Sequence, residues 1–160
     1  MKISFILNGE DIELDLSHEL PLSSILRDQL MLKGTKDLCK NGHCGLCSIL
    51  LDGQLVASCM IPAFKVRGKE VITIEGFRET EDFKDIYQGF LKSATIPCPH
   101  CATSRVFTIH NLLEKDMRPS RELIIHHLSH IHCGCMAPET LIRVVRSAGA
   151  FRERRINGRN

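Results

Sequence analysis

Cys39-Lys40-Asn41-Gly42-His43-Cys44-Gly45-Leu46-Cys47 is the stretch on which the reading of this chain turns. Its three cysteines are separated by four and then two residues, and Cys59 stands beyond an eleven-residue gap. Further on, Cys98-x2-Cys101 and Cys133-x-Cys135 form a second set of four, and no cysteine is left over. Two complete quartets of thiols are a donor set for metal, since thiolates are soft, anionic ligands.

To either side of that loop the pattern is regular. Residues 2–7 and 11–16 alternate apolar and polar around Asn8-Gly9, which predicts a hairpin closed by a type I′ turn. Leu22, Ile25, Leu26 and Leu30 recur at helical spacing after Pro21, predicting a helix over 21–32. Residues 33–47 hold three glycines and no periodicity, and read as a loop. Residues 48–51 and 54–57 flank Asp52-Gly53 as a second hairpin, and 71–74 is a further short strand. The second half changes to helical periodicity, with helices expected at 81–93, 102–115, 121–130 and 138–148. On 81–93, Phe83, Ile86, Tyr87, Phe90 and Leu91 share one face. Ser120 is placed to cap the third of these, and Pro138 to open the fourth. Residues 76–81 read as a linker.

The first quartet has the C-x4-C-x2-C…C spacing of plant-type [2Fe–2S] ferredoxins. Such a loop wraps a cluster closely, which asks Gly42 and Gly45 for positive φ. Backbone N–H groups, together with Lys36 or Lys40, would offset the cluster's negative charge. Zinc sites usually pair cysteines as C-x2-C, and this loop fits that poorly. The second quartet, two short pairs, suits either an iron–sulfur cluster or zinc on spacing alone. Each of its pairs precedes an expected helix, where free N–H groups and the positive helix end favour thiolate.

Leu26-Arg27-Asp28, Gly34-Thr35-Lys36, Cys44-Gly45-x-Cys47-Ser48, Leu50-Leu51-Asp52-Gly53 and Ser58-Cys59 resemble the small iron–sulfur subunit of the molybdenum hydroxylases, the xanthine dehydrogenase family. The resemblance covers nearly the whole chain. Residues and resemblance together give an α+β chain: a ferredoxin-like β-grasp domain at 1–76, a four-helix [2Fe–2S]-binding domain at 82–150, and a basic tail at 151–160. The resemblance implies two [2Fe–2S] clusters, one held by Cys39, Cys44, Cys47 and Cys59, the other by Cys98, Cys101, Cys133 and Cys135. It also implies a route for electrons, from molybdopterin on a large subunit through the helical-domain cluster, then the N-terminal one, to FAD on a medium subunit. The chain departs from the family around the second quartet. Pro97-Cys98-Pro99-His100-Cys101 stands where the family has Gln-Cys-Gly-Phe-Cys, and Cys133-Gly134-Cys135-Met136-Ala137-Pro138 where it has Cys-Arg-Cys-Thr-Gly-Tyr. Pro97 offers no side-chain hydrogen bond and Pro99 no N–H to the pterin that this face of the family meets.

A net charge of +2 argues against nucleic acid, and no apolar run is long enough to span a membrane. With no exported leader in view, eight cysteines belong in the reducing cytoplasm. No Ser/His/Asp or Cys/His catalytic arrangement and no phosphate loop is present, so a relay role without substrate chemistry is expected. Two rivals remain at this point: a stand-alone two-cluster ferredoxin, and a zinc-stabilised binding module. His126, His127, His130 and His132 read as a polar surface, with His126 and His130 on one helix face. His100 is placed to tune the second site by hydrogen bonding. Arg152, Arg154, Arg155 and Arg159 read as a solvated terminus.

Overall fold

Alternation along β1 (Lys2–Leu7) makes a strand with one dry face: Ile3, Phe5 and Leu7 are buried, while Lys2, Ser4 and Ile6 are exposed. The computed structural model describes residues 1–158, and the chain divides into two units, Met1–Arg78 and the remainder from Glu79. In the first unit β1 pairs antiparallel with β2 (Glu10–Asp15) across Asn8 (φ 51°) and Gly9 (φ 87°), as a type I′ turn requires. The same geometry recurs at Asp52 (φ 49°) and Gly53 (φ 76°), joining β3 (Ser48–Leu51) to β4 (Gln54–Ala57). β5 (Glu70–Ile72) lies parallel to β1 and antiparallel to β3, completing a mixed sheet in the order β2-β1-β5-β3-β4.

The helix expected over 21–32 is shorter. α1 (Leu22–Ser24) runs directly into a π-helical segment, Ile25–Gln29. Met31 then takes φ 59° and the Leu32 N–H returns to the Leu26 carbonyl at 2.7 Å. This is the left-handed closure usually given to glycine, and it ends the helix before the apolar repeat does. Leu22, Ile25 and Leu26 join Ile3, Phe5, Ile49 and Val71 in the core. Full burial of such a side chain contributes about 1.5–3 kcal/mol. α2 (Ile74–Phe77) follows β5, so Ile74 opens a helical turn where the sequence suggested the end of a strand.

The second unit is helical: α3 (Glu81–Lys92), α4 (Ala102–Lys115), α5 (Arg121–Leu128) and α6 (Pro138–Asn157). Ser120 caps α5 by accepting from the Leu123 N–H, and Thr80 caps α3 by accepting from that of Phe83. Pro138 opens α6, where its missing N–H costs nothing. On α3 the buried face is centred on Asp85, Ile86, Gly89 and Phe90, while Tyr87 and Leu91 of the expected stripe are exposed. Close approach turns the helix this way: a Cβ on Gly89 would lie 2.8 Å from the Val144 carbonyl and 2.9 Å from Ala148 Cβ.

The basic stretch expected as a solvated terminus is instead the last turns of α6, which runs nine residues beyond the expected end at 148. Arg152 is only 1% exposed and donates to Glu114 Oε1 (2.9 Å) and to His110 Nδ1 (3.1 Å). Arg155 bridges Asp85 and Asp82 on α3, and Glu153 takes a forked bond from Arg118. Helical periodicity in the tail could not show these partners, because they sit on other helices. Arg154 is exposed, and Arg159 lies outside the described residues. Among the described residues, no helix is long and apolar enough to cross a membrane.

His110 Nδ1 accepts from Arg152, so the ring is neutral with its proton on Nε2. Burial, then the Arg152 charge, lowers its pKa below the ordinary 6.5, and Asp82 opposes this more weakly. A lowered histidine pKa leaves stability intact above the unfolded value and removes it as pH falls below about 6.5. Urea unfolding of wild type should therefore weaken below that pH more steeply than that of His110→Gln, which keeps an acceptor for Arg152 without titrating. The difference is bounded by about 1.4 kcal/mol per pH unit for one proton. Coincident profiles would show that folding leaves the His110 pKa at its unfolded value. Separately, Gly89→Ala should cost about 1–3 kcal/mol by overpacking α3 on α6, read as a lower unfolding midpoint.

Candidate metal centres

The loop carrying Cys39, Cys44 and Cys47 has little regular structure, so other groups must hold it. Arg27 donates from Nη1 to the Thr35 carbonyl at 2.7 Å and the Lys33 carbonyl at 3.3 Å. The Gly34 N–H donates to Glu75 Oε1 at 2.8 Å. From this anchored base the chain winds through Lys40 (φ 57°), Gly42 (φ 76°) and Gly45 (φ 70°). Gly42 is confined as well as left-handed, since a Cβ there would meet Met60 Cγ at 2.9 Å.

This winding turns backbone N–H groups toward sulfur. The Cys44 N–H lies 3.3 Å from Cys39 Sγ. Donation from the Asn41 N–H, then from that of Cys44, brings the Cys39 pKa down to about 6 against the effect of burial. Cys59 arrives after β4 in a 3₁₀ turn over Ser58–Met60. Ser58 fixes it there, because its hydroxyl and its N–H both donate to the Cys47 carbonyl, at 2.8 and 3.1 Å. Burial, then the Cys47 thiol, pushes Cys59 up to about 12, and the Gly42 N–H offsets only part of this. The Cys44 thiol also acts on Cys39, and the Cys47 thiol and the Cys39 charge act on Cys59, so the four thiols are electrostatic neighbours, without the tight convergence seen at the second quartet. Lys36 donates to the Lys33 carbonyl and Lys40 stands 4.0 Å from Asp37, so each of these two lysines has a partner other than sulfur.

The second quartet converges more tightly: the sulfurs of Cys98, Cys101, Cys133 and Cys135 lie within 4.8 Å of one another. Separations of 3.6 Å (Cys98 to Cys101), 3.6 Å (Cys98 to Cys133) and 3.4 Å (Cys101 to Cys135) are far beyond a disulfide bond of about 2.05 Å. Cys101 occupies the N-cap position of α4, whereas α6 starts three residues after Cys135, so only the first pair abuts its helix. Burial raises the Cys98 thiol, but N–H donation from Cys101 and His100, with help from the Cys133 and Cys101 thiols, brings it down to about 7. His100 thus acts through its backbone while its side chain faces solvent. Cys101, fully buried, is driven far up by burial and by Cys135, with Arg105 pulling the other way. The Cys135 N–H lowers Cys133, but burial and the neighbouring thiols outweigh it.

All-sulfur donors, inward N–H groups and a buried cation, Arg105, suit an anionic iron–sulfur cluster. On geometry alone, four sulfurs this close also suit one tetrahedral zinc ion. Among the described residues the histidines form no metal-holding group, although His130 feels the charges of His127, His126 and His132. α5 ends at Leu128, so His130 leaves the helix face expected to carry it, and His127 Nδ1 is engaged with the Leu123 carbonyl. Asp82, His110 and Glu114 do converge, in a grouping that residue spacing does not reveal, and the Arg152 guanidinium stands among them. Arg105 is a further residue of this site that cysteine spacing does not reveal. Its signal was a charge one turn after Cys101 on the face that buries Ile109 and Leu112.

Comparison with known proteins bears on the choice of metal. The chain is 32% identical over 152 residues to a nicotinate dehydrogenase subunit of Pseudomonas putida, covering 95% of this chain and 97% of that one. It is 31% identical over 156 residues to the aldehyde oxidoreductase of Megalodesulfovibrio gigas, spanning 96% of this chain but 17% of that longer polypeptide. Among solved structures, a chain of quinoline 2-oxidoreductase from Pseudomonas putida 86 superposes with a TM-score of 0.84 at 29% identity, covering 96% of both chains. No protein-family model matches the chain.

The sulfur electrostatics are directly measurable. In metal-free, reduced protein at pH 7.5, iodoacetamide should modify Cys39 and Cys98 well before Cys59 and Cys101, as followed by peptide mass spectrometry, because only thiolate reacts. Equal rates at Cys39 and Cys59 would show that the N–H donors do not act on sulfur.

Proposed function

Because the chain belongs to the small iron–sulfur subunits of the molybdenum hydroxylase family, we propose that its eight cysteines hold two [2Fe–2S] clusters that relay electrons between a molybdopterin-binding large subunit and an FAD-binding medium subunit. Binding of [2Fe–2S] clusters and electron transfer within an oxidoreductase complex come with the family. The assignment of residues is our own: Cys39, Cys44, Cys47 and Cys59 at one centre, Cys98, Cys101, Cys133 and Cys135 at the other. The observation that carries it is the convergence of the second quartet's sulfurs within 4.8 Å, together with backbone N–H groups directed at sulfur in both quartets.

On this reading the unit with the mixed sheet is a ferredoxin-like β-grasp domain, and the unit from Glu79 a four-helix cluster-binding domain. A bound [2Fe–2S] cluster supplies a carrier for one electron. The chain's own residues deprotonate to hold it, donate hydrogen bonds to its thiolates and keep its surroundings dry. Among the described residues no side-chain arrangement suited to making or breaking substrate bonds accompanies the quartets, and on this reading substrate chemistry belongs to the large subunit. Eight free thiols favour a reducing, cytoplasmic setting. Relatives of this chain are separate subunits in some systems and part of a longer polypeptide in others, which supports a partner held in lasting contact over an exchanging one.

Anaerobically purified protein should contain two irons and two acid-labile sulfides per quartet, with two signals in electron paramagnetic resonance after dithionite. Cys44→Ser should abolish one signal and leave the other, because the quartets lie in different units. Simultaneous loss of both would refute independent centres. Zinc in place of iron at either quartet would overturn the assignment there. Co-purification with a molybdenum-containing subunit separates the complex from a stand-alone ferredoxin.

A further inference from the structure

Arg105 is a cation with no anion beside it. It is 2% exposed, and among the described residues it has no carboxylate partner. Its Nη2 donates to the Cys133 carbonyl at 2.9 Å, while Nε and Nη1 are buried with no hydrogen-bond partner. The position is dictated locally, since the Arg105 N–H bonds the Cys101 carbonyl in the first turn of α4 and so stands one turn from a quartet cysteine. On the side toward α5, the cavity that Arg105 lines is walled by Ile124, Leu128, Ile131 and Leu141, which supply hydrocarbon and no counter-charge. A lone buried cation is costly in a protein interior, so something must offset it. Arg152, also fully buried, has Glu114 and Asp82 for that purpose. The Arg105 guanidinium is instead held against the second quartet, bonded to the Cys133 carbonyl one turn from Cys101, and its charge favours the thiolate form of that buried thiol.

We infer that Arg105 is the resident counter-charge of the centre at Cys98, Cys101, Cys133 and Cys135, a positioning residue that raises the reduction potential of that centre alone. This rests on the reading that the quartet holds a [2Fe–2S] cluster. Four thiolates make the oxidised centre anionic, and one electron makes it more so. A fixed positive charge in a low-dielectric setting therefore stabilises the reduced state more than the oxidised one. The bond to the Cys133 carbonyl holds the guanidinium in place, tying the loop of the second cysteine pair to the helix of the first.

The test is anaerobic potentiometric titration of the full chain, followed by electron paramagnetic resonance, for wild type, Arg105→Gln, Arg105→Met and Arg105→Lys. The Cys44→Ser protein identifies which signal belongs to the second quartet. Arg105→Gln should shift that signal's reduction equilibrium at least tenfold toward the oxidised form, which is 59 mV for one electron, and leave the other signal unmoved. Arg105→Lys should recover part of the shift. If Gln and Met variants fail to retain the cluster while Lys retains it, the requirement for charge is shown by assembly instead. Unchanged potentials, or equal loss of the cluster in all three variants, would overturn the inference. A wild-type protein with no cluster at the second quartet would instead refute the reading beneath it.

Discussion

Bringing four thiols together, with Cys44, Cys47, Cys59 and Cys101 buried, sets thiolate formation against the protein interior, and the rest of the structure is organised around that conflict. A thiol must lose its proton to bind metal, yet burial favours the neutral form and each new thiolate repels the next. Both sides are visible at the first quartet. Cys39, facing three backbone N–H groups, comes down to about 6, whereas Cys59, more deeply buried, goes up to about 12. Each site thus pairs a sulfur ready to bind with one that must be driven to ionise, so binding of metal releases protons and strengthens as pH rises.

The two units meet this conflict with different means. In the first, a loop held by Arg27 and Glu75 winds through left-handed residues so that successive N–H groups face one sulfur. In the second, the donors come from short turns before α4 and α6, and a buried arginine adds a full charge. A loop beside a mixed sheet and a helix bundle therefore reach comparable sulfur environments from unrelated backbones. This accords with cysteine spacings too different to be copies of one motif.

The helical unit also shows how charge can act in the core. Arg152 and Arg155 reach from α6 to carboxylates on α3 and α4, and Gly89 lets α3 and α6 close on each other. The buried face of α3 consequently includes Asp85 and Gly89 and leaves Tyr87 and Leu91 outside. Apolar periodicity alone points that face slightly away from where it packs, because an ion pair and a missing side chain outweigh two exposed apolar groups. The same cause extended α6 beyond its expected end, since its partners are carboxylates far away in the chain.

Much was legible beforehand, for reasons that are local. Cysteine spacing identifies the donors because ligand geometry constrains how short a loop can be. Asn8-Gly9 and Asp52-Gly53 declare their turns because few residues tolerate positive φ, and Ser120 and Pro138 mark helix starts through the backbone groups they satisfy or lack. Tertiary structure alone decided where the first helix stops, which sulfurs keep their protons, and what a single arginine on α4 stands beside. Protonation and ion pairing depend on dielectric and on distance. Both are properties of the packed interior, set between residues such as Arg105 and Cys133 that meet only after the chain has folded.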